Sequence, residues 1–208
     1  MSLKVLGLSA SPRIKGNSDL LLGEALAGVE SAGAEVERVH LSQLNIAPCV
    51  ACGACRNTGM CRVQDDYQDL LQKMRDADRL IFATPIFFMA VPAQAKAMID
   101  RCQCLWSRKY VLKQPLFDEV PRYRRGMVIA VGGCKSKKMF DSIRMTMKYY
   151  FDVLEIVYFS NLFVNGVDEK GAILKHPRAM QEARRLGVIL VTDEGPTPGE
   201  PEDVELYL

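Results

Sequence analysis

The chain has 208 residues, 49% of them apolar and 25% charged, with a net charge of +2. That length fits one domain with a large core, and so small a charge excludes the basic bias of a nucleic-acid binder. No stretch reaches the roughly 18 apolar residues of a membrane span, and the N-terminal MSLKVLGLSASPR carries no signal-peptide cleavage site.

Lys4 to Ser9 reads as a short buried strand, followed by a polar turn to Gly16. Asn17 or Ser18 then caps a helix running to about Ala32, with Leu22, Leu26 and Val29 on one face. Glu35 to Leu41 is a second strand, and residues 45–64 form a loop insert. Asp65 or Asp66 caps a helix to about Asp76. Arg79 to Thr84 is a third strand, ending in Pro85-Ile86-Phe87-Phe88. A helix from Val91 to Leu105 has Pro92 in its first turn, and residues 106–124 are irregular. Gly126 to Val131 is a fourth strand, ending in Gly132-Gly133-Cys134. A helix from Ser136 to Phe151, a strand from Glu155 to Phe163 and a helix from Pro177 to Val191 complete the series.

Residues 1–191 are thus expected to form a single domain. The tail 192–208, rich in Pro, Gly and acid, reads as a partner arm or a poorly ordered end. The short basic run Arg122, Arg124, Arg125 reads as a solvated face. Strand and helix alternate five times, which predicts a doubly wound α/β fold with a five-stranded parallel sheet. Such sheets bind ligands outside the carboxyl ends of their strands.

Four cysteines, Cys49, Cys52, Cys55 and Cys61, occur within thirteen residues as C-x2-C-x2-C-x5-C. The total of seven cysteines is odd, and no export signal accompanies them, so reduced cytoplasmic thiols are expected. A disulfide pair, a structural zinc and a four-thiolate iron–sulfur cluster each account for such a run. The cluster fits the compact spacing best, because two-residue gaps turn successive sulfurs toward one centre. Structural zinc sites more often join two C-x2-C knuckles across a longer stretch. The five-residue last gap departs from ferredoxin spacing.

Three loops fall at the carboxyl ends of strands. The first, from Ser9 to Ser18, offers hydroxyls, Arg13, Gly16 and an amide as it opens a helix, a setting suited to phosphate. It is neither GxGxxG nor a Walker sequence. The same residues also make an ordinary polar turn. The second, Thr84 to Phe88, can border a flat ring or pack in the core. The third, Gly132-Gly133-Cys134-Lys135, permits close backbone approach to a ligand or simply a tight turn. Cys102 and Cys104 read as buried structural thiols that do not share a helix face. His40 and His176 stand alone and carry no catalytic pattern.

SPRxxGNS, the cysteine loop with its trailing Asp65-Asp66, TPIFF and Ile99-Asp100-Arg101 occur in that order. In this the chain resembles the NADPH-dependent FMN reductase superfamily, and within it the iron–sulfur flavoproteins, over about residues 3–165. The resemblance implies a flavodoxin-like fold, strand order 2-1-3-4-5, and FMN as cofactor. By matching motif, Ser9, Ser11, Arg13, Gly16, Asn17 and Ser18 would hold the phosphate. Pro85, Ile86, Phe87 and Phe88 would border the isoalloxazine, and Gly132, Gly133 and Cys134 would close its other side. Cys49, Cys52, Cys55 and Cys61 would hold a [4Fe-4S] cluster.

The expected activity is electron transfer between FMN and that cluster, with no side chain required as general acid, base or nucleophile. NAD(P)H, ferredoxin or another carrier is the expected donor, with a small molecule or protein as acceptor and a homodimer or homotetramer as the assembly. Two alternatives stay open: a cluster-free NAD(P)H-dependent FMN or quinone reductase, and a zinc-stabilised binding or sensing protein on the same scaffold.

Overall fold

A computed structural model describes residues 2–117, 123–195 and 199–207. In chain order the elements are β1 (Lys4–Ser9), α1 (Asn17–Ser31), β2 (Glu35–His40), α2 (Cys55–Thr58), α3 (Tyr67–Asp76), β3 (Arg79–Pro85), α4 (Ala93–Arg101), α5 (Gln103–Trp106), β4 (Arg125–Val131), α6 (Asp141–Val153), β5 (Val157–Val164), α7 (Ala179–Thr192) and β6 (Glu202–Leu206). The strands form one sheet in the order β2-β1-β3-β4-β5-β6, and every pairing is parallel.

The expected order 2-1-3-4-5 holds, with a sixth strand added. That strand corrects the reading of the tail: residues 202–206 pair with β5 from Ser160↔Glu202 to Val164↔Leu206. Its sequence EDVEL hides the role because an edge strand buries little, and only Leu206 is fully covered. Arg144 holds the acidic side chains in place, with an ion pair to Asp203 of 2.9 Å and a second to Glu205.

The strand runs were legible because a parallel sheet is covered on both faces. Every residue of β4 is buried, and in β3 only Pro85 is partly exposed. One face packs Leu6, Phe82 and Val128 against α3, α4 and α6. The other packs Val5, Ile81, Met127 and Ile129 against α1 and α7. The crossing of α1 with α7 depends on glycine: a Cβ at Gly187 would lie 2.1 Å from the Ala25 carbonyl oxygen, and one at Gly28 would lie 2.3 Å from that of Arg184.

The basic run is also corrected. Arg124 and Arg125 are 4% and 0% exposed, and Arg122 lies outside the described residues. Arg124 donates to the carbonyls of Ala77 (3.0 Å) and Leu154 (2.6 Å), and Arg125 to those of Asp193 (2.6 Å) and Gly195 (2.8 Å). Helix C-termini leave carbonyls without intrahelical donors. These guanidiniums supply donors just past the ends of α3, α6 and α7, an interior task that sequence alone assigns to solvent.

Candidate functional site

At the carboxyl edge of the sheet, the loops after β1, β3, β4 and β5 enclose a cleft. Of the residues expected there, Ser11, Arg13, Gly16, Asn17, Ser18, Pro85, Ile86, Phe87, Gly132 and Gly133 line it. Ser9, Phe88 and Cys134 do not.

The first loop is organised from beneath by Asp19. The buried Ser9 hydroxyl donates to Asp19 Oδ1 at 2.7 Å, and the Lys15 N–H donates to Oδ2 at 2.8 Å. Lys15 has φ +58°, a conformation that side chains disfavour and that this bond holds in place. Burial raises the Asp19 carboxyl, but the bonds from Ser9, Lys15 and Arg38, with the Arg38 charge, outweigh it and hold the group below its ordinary range. Ser9 therefore positions the loop instead of lining the cleft.

Ser11 Oγ closes a local turn by donating to the Arg13 carbonyl (2.9 Å) and accepting from its N–H (3.1 Å). The Asn17 amide is spent across the cleft, donating to the Glu169 carbonyl (2.9 Å) and accepting from the Ile173 N–H (3.3 Å). Ser18 differs from both. Its hydroxyl is buried at the start of α1 with no hydrogen-bond partner, and α1 has no side-chain cap. A buried hydroxyl left unpaired costs about 1–3 kcal/mol. An anionic group at this helix end would satisfy both the hydroxyl and the free N–H groups. The residues present therefore fit a phosphate.

Phe87 and Phe88 are not core, the alternative that burial of aromatics suggested. Phe88 and Met89, both with positive φ, form a two-residue turn closed by reciprocal bonds between the flanking Phe87 and Ala90 at 2.9 Å. Phe87 faces the cleft, while Phe88 projects fully into solvent. Cys134 is exposed and accepts from the Ser136 N–H at 3.4 Å. At Gly133, a Cβ would meet the Asp168 side chain at 2.9 Å, so the glycine admits the loop after β5. That loop brings Asp168 and Lys170 to the cleft, residues absent from the expected set. The available signal was positional: they follow a parallel strand on the same edge.

The four clustered cysteines line one separate cavity of about 220 Å3, several times the roughly 30 Å3 share of a water in the liquid. All seven cysteines are free thiols in the structure. Positive φ at Ala51 and Gly53 and the left-handed Gly59 after α2 turn the chain tightly around the cavity. Among the described residues, no group of three or more His, Cys, Asp and Glu side chains is placed to hold a metal ion. The donor chemistry, four thiols around a space larger than one ion, fits a cluster.

The loop is anchored by Asp65 and Arg101. Asp65 or Asp66 was expected to cap α3, and the structure gives the side-chain bonds to Asp65. It does accept the Tyr67 N–H (3.0 Å), with Gln68 Oε1 accepting the Asp65 N–H in return (3.1 Å). It also accepts the Ala47 N–H (2.9 Å) and an Arg101 donor (2.7 Å). Burial raises the Asp65 carboxyl, and these bonds, the Arg101 contact foremost, bring it below its ordinary range.

Cys102 and Cys104 are both buried, as expected, but they converge. The Tyr67 hydroxyl contacts their sulfurs at 3.5 and 3.6 Å, because the helix breaks at Cys102 between α4 and α5. Burial pushes the Cys102 thiol up to about 12 and raises that of Cys104. Cys104 also lines the four-cysteine cavity, a fifth sulfur there.

A six-stranded parallel sheet with a ligand cleft at its carboxyl edge defines a flavodoxin-like α/β protein. The family model for NADPH-dependent FMN reductases matches residues 3–164, and the chain belongs to that family of FMN-dependent oxidoreductases. Among curated relatives, an iron–sulfur flavoprotein of Methanosarcina thermophila is 36% identical over 134 residues, 64% of this chain and 65% of that protein. One from Archaeoglobus fulgidus is 34% identical over 146 residues, 70% of each. A putative NAD(P)H-dependent FMN-containing oxidoreductase of Bacillus subtilis is 27% identical over 88% of this chain and 96% of its own length. The chain thus spans somewhat under two thirds of the Methanosarcina relative. Among solved structures, an NAD(P)H:quinone oxidoreductase from Methanothermobacter marburgensis aligns with a TM-score of 0.67 at 18% identity, over 94% of this chain and all of that one, a likeness of fold. Among the described residues, no helix is long and apolar enough to cross a membrane.

Proposed function

We propose that this chain is an iron–sulfur flavoprotein, with FMN in the cleft at the sheet edge and a [4Fe-4S] cluster on Cys49, Cys52, Cys55 and Cys61. The observation that carries this reading is the convergence of all four thiols on one cavity beside a buried guanidinium. Relatives named as iron–sulfur flavoproteins support it.

In this reading Ser18, the α1 N–H groups and Arg13 bind the FMN phosphate. Ile86 and Phe87 offer an apolar border to the ring, and the Gly132-Gly133 backbone lies beside Ile86 at the end of the adjacent strand. Bound FMN supplies two-electron chemistry and the cluster one-electron chemistry, so together they couple donors and acceptors of either kind. The residues themselves bind, orient and exclude water, and none is needed to move a proton. NAD(P)H or a ferredoxin is the proposed donor, in a cytoplasmic homo-oligomer.

The test is the iron, acid-labile sulfide and FMN content of anaerobically prepared protein. About four irons and four sulfides per chain with one FMN are expected. FMN without iron would replace this reading with a cluster-free NAD(P)H-dependent reductase. Zinc without FMN would replace it with a metal-stabilised binding protein.

A further inference from the structure

Arg101 is 1% exposed, at the end of α4, and its guanidinium has four partners on the cysteine loop and its flank. Nη1 donates to the Ala47 carbonyl (3.0 Å) and to Asp65 Oδ2 (2.7 Å), and Nη2 donates to the Val63 carbonyl (2.8 Å). Nε donates to Cys61 Sγ at 3.2 Å. The Tyr67 ring lies beneath the fork, 4.6 Å from its carbon to the centroid. Residues 47 and 63 bracket all four clustered cysteines, so one side chain joins the two ends of the loop and touches a sulfur. Asp65 completes the grip, since it takes the Ala47 N–H while Arg101 takes the Ala47 carbonyl.

A fully buried arginine is costly unless all its donors are used. Here four hydrogen bonds go to two backbone carbonyls of an otherwise irregular loop, to the Asp65 carboxylate and to one thiol, a use that folding of the sheet does not require. A lysine, with a single point of charge, cannot span Ala47, Val63 and Cys61 together.

We propose that Arg101 is a positioning residue for the iron–sulfur centre, which closes the cysteine loop and raises the reduction potential by donating to the Cys61 sulfur. This rests on the cluster reading above. Accepting one electron adds one negative charge to the site, with no proton moved. A fixed cation and a donor to sulfur stabilise that added charge, and hydrogen bonds to sulfur are a recognised lever on cluster potentials.

The experiment compares full-length wild type, Arg101→Gln and Arg101→Lys, each anaerobically reconstituted and carrying FMN. Iron, sulfide and FMN are counted, and the cluster potential is read by an EPR-monitored redox titration. In Arg101→Gln the reduced-to-oxidised ratio at fixed potential is expected to fall about tenfold, about 59 mV for one electron, with FMN content unchanged. Arg101→Lys, which keeps the charge, is expected to shift less.

In parallel, trypsin cleavage after Arg56 and Arg62 is followed in the metal-free chains, where Arg101→Gln is expected to be cut at least tenfold faster. A fully loaded Arg101→Gln with the wild-type potential overturns the proposal. So does an iron-free Arg101→Gln whose metal-free loop is cut at the wild-type rate. If wild type itself takes up no iron and sulfide, the cluster reading has failed, and the proteolysis arm still decides whether Arg101 closes the loop.

Discussion

The cleft and the cysteine cavity are built in opposite ways. The cleft is held by the sheet: its walls are strand ends, and Asn17 and Asp19 tie its first loop to neighbouring segments. The cysteine loop has little regular structure, only the single turn of α2, and Cys49 and Cys52 lie at the surface. It is attached by side chains: Arg101 and Asp65 at its two ends, with Asp66 accepting the Asn45 N–H, Gln68 donating to the Val63 carbonyl and Ser107 touching the Cys55 sulfur. A site on strand ends inherits the stability of the whole core, whereas a site on a loop is only as stable as its local anchors. Damage to one region should therefore leave the other intact.

The largest expected separation comes from Cys52→Ser. It should abolish iron binding while FMN content, read from flavin absorbance, stays at the wild-type level. Unchanged iron would remove Cys52 from the ligand set. Next is Asp65→Ala, which leaves the Arg101 charge without its carboxylate. Loss of one partner from a buried pair costs about 3–5 kcal/mol, and urea denaturation should show a loss toward the lower end, because Arg101 keeps its carbonyl acceptors. The loop should become protease-sensitive while FMN affinity holds; equal loss of both would mean that the two regions are not independent.

Gly187→Ala is the converse, aimed at the support of the cleft. A methyl 2.1 Å from the Ala25 carbonyl forces α7 away from α1. Overpacking of this kind costs about 1–3 kcal/mol, seen as a lower denaturation midpoint, with reactivity of the loop thiols unchanged. Ser18→Ala removes one donor to an anion. A charged hydrogen bond of about 1.5 kcal/mol corresponds to a roughly tenfold weaker FMN Kd by fluorescence titration, with stability equal to or above wild type because the orphan hydroxyl is gone. A wild-type Kd would place the phosphate elsewhere.

The smallest effect is on pH dependence. His176 Nδ1 accepts the N–H groups of Arg178 (3.2 Å) and Ala179 (3.1 Å) at the start of α7. Burial first, and the Arg178 charge second, lower its pKa from 6.5. The neutral ring is the one that folding favours, so its contribution is complete above pH 6.5 and is lost as pH falls through the lower folded value. Stability measured from pH 7.5 to 5 should decline by under about 1 kcal/mol, and His176→Asn, which retains an acceptor, should flatten that decline. Asp19 acts in the same direction at lower pH: its carboxyl is held down in the folded state, so its contribution is present above pH 3.8 and is lost below it.

By itself the sequence determined the alternation of strands and helices, because a strand covered on both faces must be apolar along its length and leaves a run such as GMVIAV. It also determined that four thiols share one short loop, since spacing of two and five residues admits no other outcome. The tertiary structure decided what surrounds them. Arg101 lies forty residues from Cys61; Ile99-Asp100-Arg101 stood among the motifs in register, but nothing in it tied the arginine to the cysteine loop, and only the packing of α4 brings it to that sulfur. Arg124 and Arg125 read as surface because charge predicts exposure, yet the carbonyls left at three helix ends draw them inward. The strand in 202–206 escaped notice because an edge buries too little to leave a pattern. Phe87 and Phe88 read as a ring border or as core, and a tight turn beside the cleft put Phe87 at its wall and Phe88 in solvent. For the arginines and the edge strand, a partner distant in sequence outweighed the residue's own preference, and that partner exists only once the chain is folded.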